Sequence, residues 1–348
     1  MKLGIIGLPQ SGKSTIFAAL TGARGDPNAE KGARADQRIG TVHVVDDRVG
    51  FLGKTFKPKK TTYAQVEYLL PAQIPSTTPT KSESAIWNQV RICDALIHVI
   101  RNFRSAGGIG PTPEDDFWRL DEEMIVNDLL VVEKRIERIE IDARRGKKGD
   151  EGELALLKTC QELLENSRPL RSNPDLASEP ALRGFTFLSA RPQLLIINND
   201  DEDEGIPEWR VRPQDLEMLL VRGRLEMEIA TMSPEEASEF KAAYHIEESA
   251  LDRVIRNSYN LLSLISFFTV LNDEVRAWTI PRGTPAIEAA GAVHSDMKRG
   301  FIRAEVLSFQ GLKEYGSFQE AKKAGEVRLE GKEYAVQDGD IINFRFNI

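Results

Sequence analysis

An eight-residue motif near the start of the chain limits its folds more than any other feature. Gly7-Leu8-Pro9-Gln10-Ser11-Gly12-Lys13-Ser14 fits G-x-x-x-x-G-K-[ST], and Thr15 follows it. The apolar run Leu3-Gly4-Ile5-Ile6-Gly7 enters the motif as a buried parallel strand would. A helical pattern leaves it, with Ile16, Phe17 and Leu20 on one face and Gly22 as a stop. Strand, glycine loop and helix in this order make a phosphate cradle. Glycines let backbone N–H groups curl around an anion, and the helix start adds the positive end of its dipole. Lys13 is expected to reach the β- and γ-phosphates, and Ser14 to offer its hydroxyl to Mg²⁺. The plain alternative is a glycine turn that only joins strand to helix. The presence of Lys13 and Ser14 argues for a nucleoside di- or triphosphate instead.

The rest of the chain reads as several parts. Its 348 residues suffice for two or three domains. A net charge of −8 argues against a protein that coats nucleic acid by bulk charge. No apolar run approaches the ~18 residues of a membrane span. The start carries no secretory pattern, and the expected location is cytoplasmic. Cys93 and Cys160 have no C-x-x-C partner, so neither a metal cluster nor a disulfide framework is expected. Asp94 to Ile100 and Leu194 to Ile197 read as buried strands, and weaker strand patterns run over 40–45 and 63–70. Ile125, Leu129, Val132, Ile136 and Ile139 fall at alternating steps of 4 and 3, a coiled-coil seam. Leu156, Cys160 and Leu163 continue it on a second helix, after a polar tip at 144–149. Helices are expected at about 213–222 and 234–264. Short strands at 274–279, 301–307, 326–329, 333–336 and 341–346, with Asp338-Gly339 as a turn signal, follow as an α+β module.

GLPQSGKST resembles the phosphate loop of the YchF / Obg-like ATPase family. The likeness continues through DALIHVIRNF (94–103), LLVVEKRIERIE (129–140) and PLRS (169–172). It is strongest in EVRAWTIPRGT (274–284), KRGFIRAEV (298–306) and RLEGKEYAVQDGDIINFRFNI (328–348), which look like that family's TGS domain. The resemblance implies an α/β fold: a Ras-like P-loop NTPase core, an inserted antiparallel α-helical coiled-coil arm and a C-terminal β-grasp (TGS, ubiquitin-like) domain. The expected boundaries are 1–118 and 186–264 for the core, 119–185 for the arm and 265–348 for the TGS domain. The phosphate-loop contacts would be Gly7, Pro9, Gln10, Ser11, Gly12, Lys13, Ser14 and Thr15, with Ser14 the metal ligand. The family reads its base with N-x-x-E, which Asn199 and Glu202 match after the strand LLII. A Glu in place of the usual Asp would loosen the grip on guanine, and family members with this element can prefer ATP. A solvated acidic loop is the other reading of Asp200 to Glu204.

The chain departs from the family where the metal and γ-phosphate would be held. The family's D-I-A-G falls on Leu70-Pro71-Ala72-Gln73, so Leu70 replaces the Asp and Gln73 the Gly. The stretch 32–38 holds no switch Thr or Ser, and Arg222-Gly223 stands where a small pair is usual. Arg34 and Arg38 could act as a cis arginine finger or lie solvated, and Asp36 could replace a metal ligand. His98, inside a strand, reads as a packed residue before an acid or base. Residues 133–148 carry seven Lys or Arg against four acids, and Lys54, Lys57, Lys59 and Lys60 form a second basic group. Either could meet RNA or simply be solvated. The TGS segment, with 11 basic and 12 acidic residues, would need a local patch.

The resemblance thus implies a purine nucleoside triphosphate (ATP or GTP, with Mg²⁺) binding protein. It would be a weak NTPase acting with the ribosome or translation-associated factors. The alternative, resting on Leu70, Gln73 and the missing Thr, is a non-hydrolysing scaffold or sensor. A small-molecule kinase would leave the C-terminal module unexplained.

Overall fold

Strands buried on both faces need continuous apolar runs, and the short Leu/Ile/Val stretches supply them. In the computed structural model, β1 (Lys2–Ile6) lies between β4 (Gln65–Leu70) and β5 (Ala95–Asn102). Beyond β5 come β6 (Gln193–Asn199) and β7 (Glu217–Val221), every one of these pairings parallel. With β2 (Arg38–His43) at the edge, the order is β2-β4-β1-β5-β6-β7. The structure describes the chain except residues 23–36, 73–85, 106, 109, 147–150, 214–215, 245, 247, 272 and 348. It divides into two units, Met1–Gly40 with Glu67–Arg253 and Thr41–Val66 with Val254–Ile348.

The first unit holds the parallel sheet and the helical arm. Helix α1 (Lys13–Thr21) follows β1 directly, with Gly12 and Gly22 both left-handed at its ends. Helix α3 (Pro113–Arg144) is the long helix of the arm and starts twelve residues before the heptad pattern does at Ile125. The reason is local: Pro113 stands in the first turn, and Glu114, Asp115 and Asp116 sit at the positive end of the dipole. Its Ile125, Val132, Ile136 and Ile139 pack with Leu157, Cys160 and Leu164 of α4 (Glu151–Glu165). The α4 seam is thus Leu157 and Leu164 more than Leu156 and Leu163, which are only partly buried. Arg135 clamps Glu153 across the pair through two bonds of 2.7 Å. The root of the arm carries buried charge. Asp121 accepts twice from Arg171 at 2.7 and 2.8 Å, and Asp128 accepts from the N–H groups of Leu188 and Ser189.

The second unit is a mixed sheet of order β11-β10-β12-β8-β9-β3. β8 (Leu264–Val270) and β9 (Glu274–Pro281) form an antiparallel pair, and β12 (Asp340–Phe346) lies parallel to β8. β10 (Phe301–Ser308) runs antiparallel to both β12 and β11 (Arg328–Glu330). Helix α6 (Ala286–Val293) packs Ala286, Ala289 and Ala290 into a core with Phe267, Val306 and Ile342. This is the β-grasp arrangement. One further strand, β3 (Lys60–Thr62), pairs with β9. Helix α2 (Asp47–Phe56) precedes it, and its Arg48 bonds Asp338 at 2.8 Å. Residues 41–66 were expected in the nucleotide core, yet they group with the C-terminal strands through these long-range contacts.

Two local readings differ from the structure. Within the stretch expected as a helix at about 213–222, Glu217–Val221 forms β7, because Glu-Met-Leu-Leu-Val is too short and apolar for periodicity to decide. Residues 333–336 make only an isolated bridge, Pro285 to Ala335, so Asp338-Gly339 leads into β12 without closing a hairpin. Gly339 does take the left-handed conformation the pair foretold.

Candidate nucleotide-binding site

The motif does form a loop between β1 and α1. Gly7 has φ 151° and Gly12 φ 91°. A Cβ at Gly7 would overlap the Val99 carbonyl, and one at Gly12 would overlap the Asn198 amide. Side chains are excluded at both places, so the backbone can close into a cradle. Pro9 and Gln10 are exposed at its crest, with Gln10 left-handed at φ 63°, while Ser11 is buried beneath. Ser14 is exposed and Thr15 half-buried in the first turn of α1.

Lys13 folds back over the loop. Its Nζ donates to the carbonyls of Gly7 and Leu8, each at 2.7 Å. Burial lowers its pKa to about 8. Among the described residues this ammonium bonds two carbonyls and no carboxylate, an arrangement that a polyphosphate would complete.

The walls come from β5, β6 and the start of helix α5 (Gly223–Thr231). Asn198, buried in β6, donates from Nδ2 to the Ser11 carbonyl at 3.0 Å and accepts from the Gly223 N–H at 3.0 Å. Asn199, the expected base contact, faces away. Its Nδ2 donates to the carbonyls of Asp203 and Gly205, and its Oδ1 accepts from Asn102. Side chains alternate along a strand, so of two adjacent asparagines only one turns toward the phosphate loop. Glu202 is exposed in the turn beyond. Asn198 was missed because the sequence does not state the phase of β6, which its pairing with β5 and β7 sets. Phe103 was also missed. Its ring edge lies 3.9 Å from where a Gly12 Cβ would stand.

Other expected residues resolve as follows. Leu70 ends β4, buried beside β1, and offers no metal ligand. Glu67 cannot replace it, for it faces Lys2 at 3.7 Å. Arg38 lies with its guanidinium 4.7 Å from the centre of the Phe17 ring. Arg34, Asp36 and Gln73 fall outside the described residues. His98 stacks on Phe117 at 5.5 Å, and burial drives its pKa down to about 3, so it is a neutral core residue. Of the second basic group, Lys59 pairs with Asp273 at 2.9 Å and Lys60 with Glu274 at 3.6 Å, which offsets its charge. Part of the arm tip, 147–150, is outside the described residues.

A parallel sheet with a phosphate loop after its first strand, a helical arm and a β-grasp unit define a P-loop NTPase-type nucleotide-binding protein. The family model YchF-GTPase_C, described as "Protein of unknown function (DUF933)", matches residues 264–347. The ribosome-binding ATPase YchF of Bacillus subtilis (strain 168) is 36% identical, over 99% of this chain and 99% of its own. That of Escherichia coli O157:H7 is 38% identical, over 100% and 99%. The solved structure of the Schizosaccharomyces pombe YchF GTPase superposes with a TM-score of 0.85 at 28% identity, covering 99% of this chain and 97% of that one. The chain belongs to the YchF family. These relatives lend no support to the alternative of a non-hydrolysing scaffold. No helix among the described residues is long and apolar enough to cross a membrane.

The lowered pKa of Lys13 has a measurable consequence. A bound polyphosphate stabilises the ammonium and raises that pKa, so binding above pH 8 requires proton uptake. Affinity for a nucleoside diphosphate is expected to be flat between pH 6.5 and 7.5 and to fall about tenfold per pH unit above about 8.5. Isothermal titration in two buffers of different ionisation enthalpy checks both the slope and the proton.

Proposed function

We propose that this chain is a slow purine nucleoside triphosphatase that works in the cytoplasm with the ribosome. The observation that carries this reading is the phosphate loop with Lys13 held over the Gly7 and Leu8 carbonyls. Full-length likeness to the relatives named ribosome-binding ATPases supports the ribosome as partner. In this reading Gly7, Pro9, Gln10, Ser11 and Gly12 line the phosphates, Lys13 bridges them, and Ser14 and Thr15 start the helix beneath. The arm, 119–185, and the β-grasp module, 265–348, would supply the ribosome- or RNA-facing surfaces.

Mg²⁺ fits this site only as an ion the nucleotide brings. Among the described residues no group of three or more His, Cys, Asp or Glu converges on a metal position, and Leu70 replaces a carboxylate. Ser14, exposed at the helix start, is the side chain that would hold it. When bound, the ion neutralises β- and γ-phosphate charge. With Ser14 the one side chain among the described residues placed to hold it, hydrolysis should be slow, since phosphoryl transfer depends on positioning.

Co-sedimentation with ribosomes tests the partner. Purified chain should pellet with ribosomes in at least one of three states: without nucleotide, with the diphosphate, or with a non-hydrolysable triphosphate. Failure to pellet in all three would remove the ribosome from this reading.

A further inference from the structure

We propose that Arg38 tells triphosphate from diphosphate: when a triphosphate binds, its guanidinium leaves the Phe17 ring and takes the terminal phosphate. This deepens the proposed function and rests on its claim that the phosphate loop holds a purine nucleoside triphosphate.

The placement follows from how β2 lies against α1. A Cβ at Gly40 would overlap the Thr21 side chain and meet the tip of the Phe17 ring at 3.3 Å. Gly40 is therefore where strand and helix approach most closely, level with the last turn of α1, which ends at Thr21. Two residues earlier, Arg38 opens the strand and lays its guanidinium over Phe17, four residues earlier in the helix. Two strand residues and four helix residues each span about 6–7 Å. Strand and helix thus run back toward the phosphate loop in step. Lys13 lies one further turn along, ~6 Å. The three methylenes of the Arg38 stem can carry its cation across that turn.

The resting partner is a weak one. Among the described residues the guanidinium has the Phe17 ring, 4.7 Å from its centre, and no hydrogen-bond or ion-pair partner. Other well-covered arginines of the chain hold carboxylates: Arg48 holds Asp46 and Asp338, Arg91 holds Asp128, and Arg171 holds Asp121. A ring face attracts a cation only through its quadrupole, whereas phosphate oxygens accept two N–H groups of the planar fork at once. Half-buried on the ring, Arg38 waits beside the loop without being committed.

The site has a use for this charge. Leu70 ends β4, the strand next to β2, and brings no carboxylate for a metal. In hydrolysis a water oxygen bonds the terminal phosphorus, and the bond from that phosphorus to the bridging oxygen breaks. Its electron pair passes to the diphosphate, and the water proton passes to the released phosphate or to solvent. Negative charge is spread over the terminal and bridging oxygens meanwhile, and guanidinium donors placed there stabilise it. A diphosphate lacks the terminal group, so Arg38 has nothing to reach and stays on Phe17.

Equilibrium binding of GDP, ADP and their β,γ-imido triphosphate analogues to the full chain tests this, with Arg38→Ala and Arg38→Lys alongside. Single-turnover phosphate release and melting curves accompany the titrations. Arg38→Ala should lose at least tenfold in affinity for the triphosphate analogue that the wild type binds and stay within about twofold for the matching diphosphate. Its phosphate release should fall at least tenfold. Arg38→Lys keeps a cation over the ring but not the fork, so it should lose less than alanine and still only for the triphosphate. Should Arg38→Ala melt below the assay temperature, that selective loss in Arg38→Lys decides the matter. A cation that merely anchors β2 on α1 would lower the melting temperature and change both affinities alike. Equal losses for diphosphate and triphosphate, or no loss for the triphosphate, would overturn the inference and leave the nucleotide site standing. Failure of the wild type to bind any of the four nucleotides would overturn both this inference and the reading it rests on.

Discussion

Lys13→Ala is expected to weaken nucleotide binding by about a hundredfold or more. The ammonium is the one strong point charge in the loop, already placed at 2.7 Å from the Gly7 and Leu8 carbonyls. Charge-assisted hydrogen bonds are worth about 1.5–3 kcal/mol each, and losing two to the phosphates gives roughly 3 kcal/mol or more. The fold should survive, because the two released carbonyls lie at an open loop where water can serve them. Titration with a fluorescent diphosphate, together with a melting curve, separates the two effects. Lost binding with an unchanged melting temperature is the expected pair. Lost binding with a large drop in melting temperature would mean that Lys13 holds the loop together more than it holds phosphate.

The second large effect lies far from that loop. Asp128→Ala should destabilise the first unit by about 3–5 kcal/mol, the usual cost of breaking a buried charge pair from one side. Asp128 has no exposed surface, and it accepts from Leu188 N–H at 3.0 Å and Ser189 N–H at 2.7 Å. Arg91 completes the site at 3.3 Å and also donates to the Thr186 carbonyl at 3.0 Å. The substitution strands two buried N–H groups and a guanidinium at the point where α3 meets the chain returning to β6. Asp128→Asn keeps one acceptor but turns an amide donor on the other N–H, so it should fall between wild type and alanine. Denaturant unfolding measures both. A change below about 1 kcal/mol for the alanine variant would show that the arm root does not depend on this carboxylate.

The legible parts of this chain were those whose chemistry is local. Phosphate-loop residues share one short stretch, so their spacing alone describes the cradle. The heptads of α3 likewise declare a helix that needs a partner, although Pro113 moves its start earlier than the apolar pattern shows. Leu70 was legible as the end of a buried strand too, and it does end β4 buried beside β1. What stayed hidden depends on long-range pairing. Nothing local states that Lys60 to Thr62 will pair with Glu274 to Arg276, which draws 41–66 to the β-grasp strands. Nothing local decides which of two neighbouring asparagines faces the loop. The register of β6 against β5 and β7 turns Asn198 inward.

Single-turnover phosphate release, with protein in excess over GTP and over ATP, tests the central claim most directly. Wild type and Lys13→Ala are compared in the presence of Mg²⁺. Slow release by the wild type that disappears in Lys13→Ala is the expected result, and it would establish hydrolysis at this loop without the usual carboxylate at position 70. Tight binding of either triphosphate with release no faster than in Lys13→Ala would contradict it.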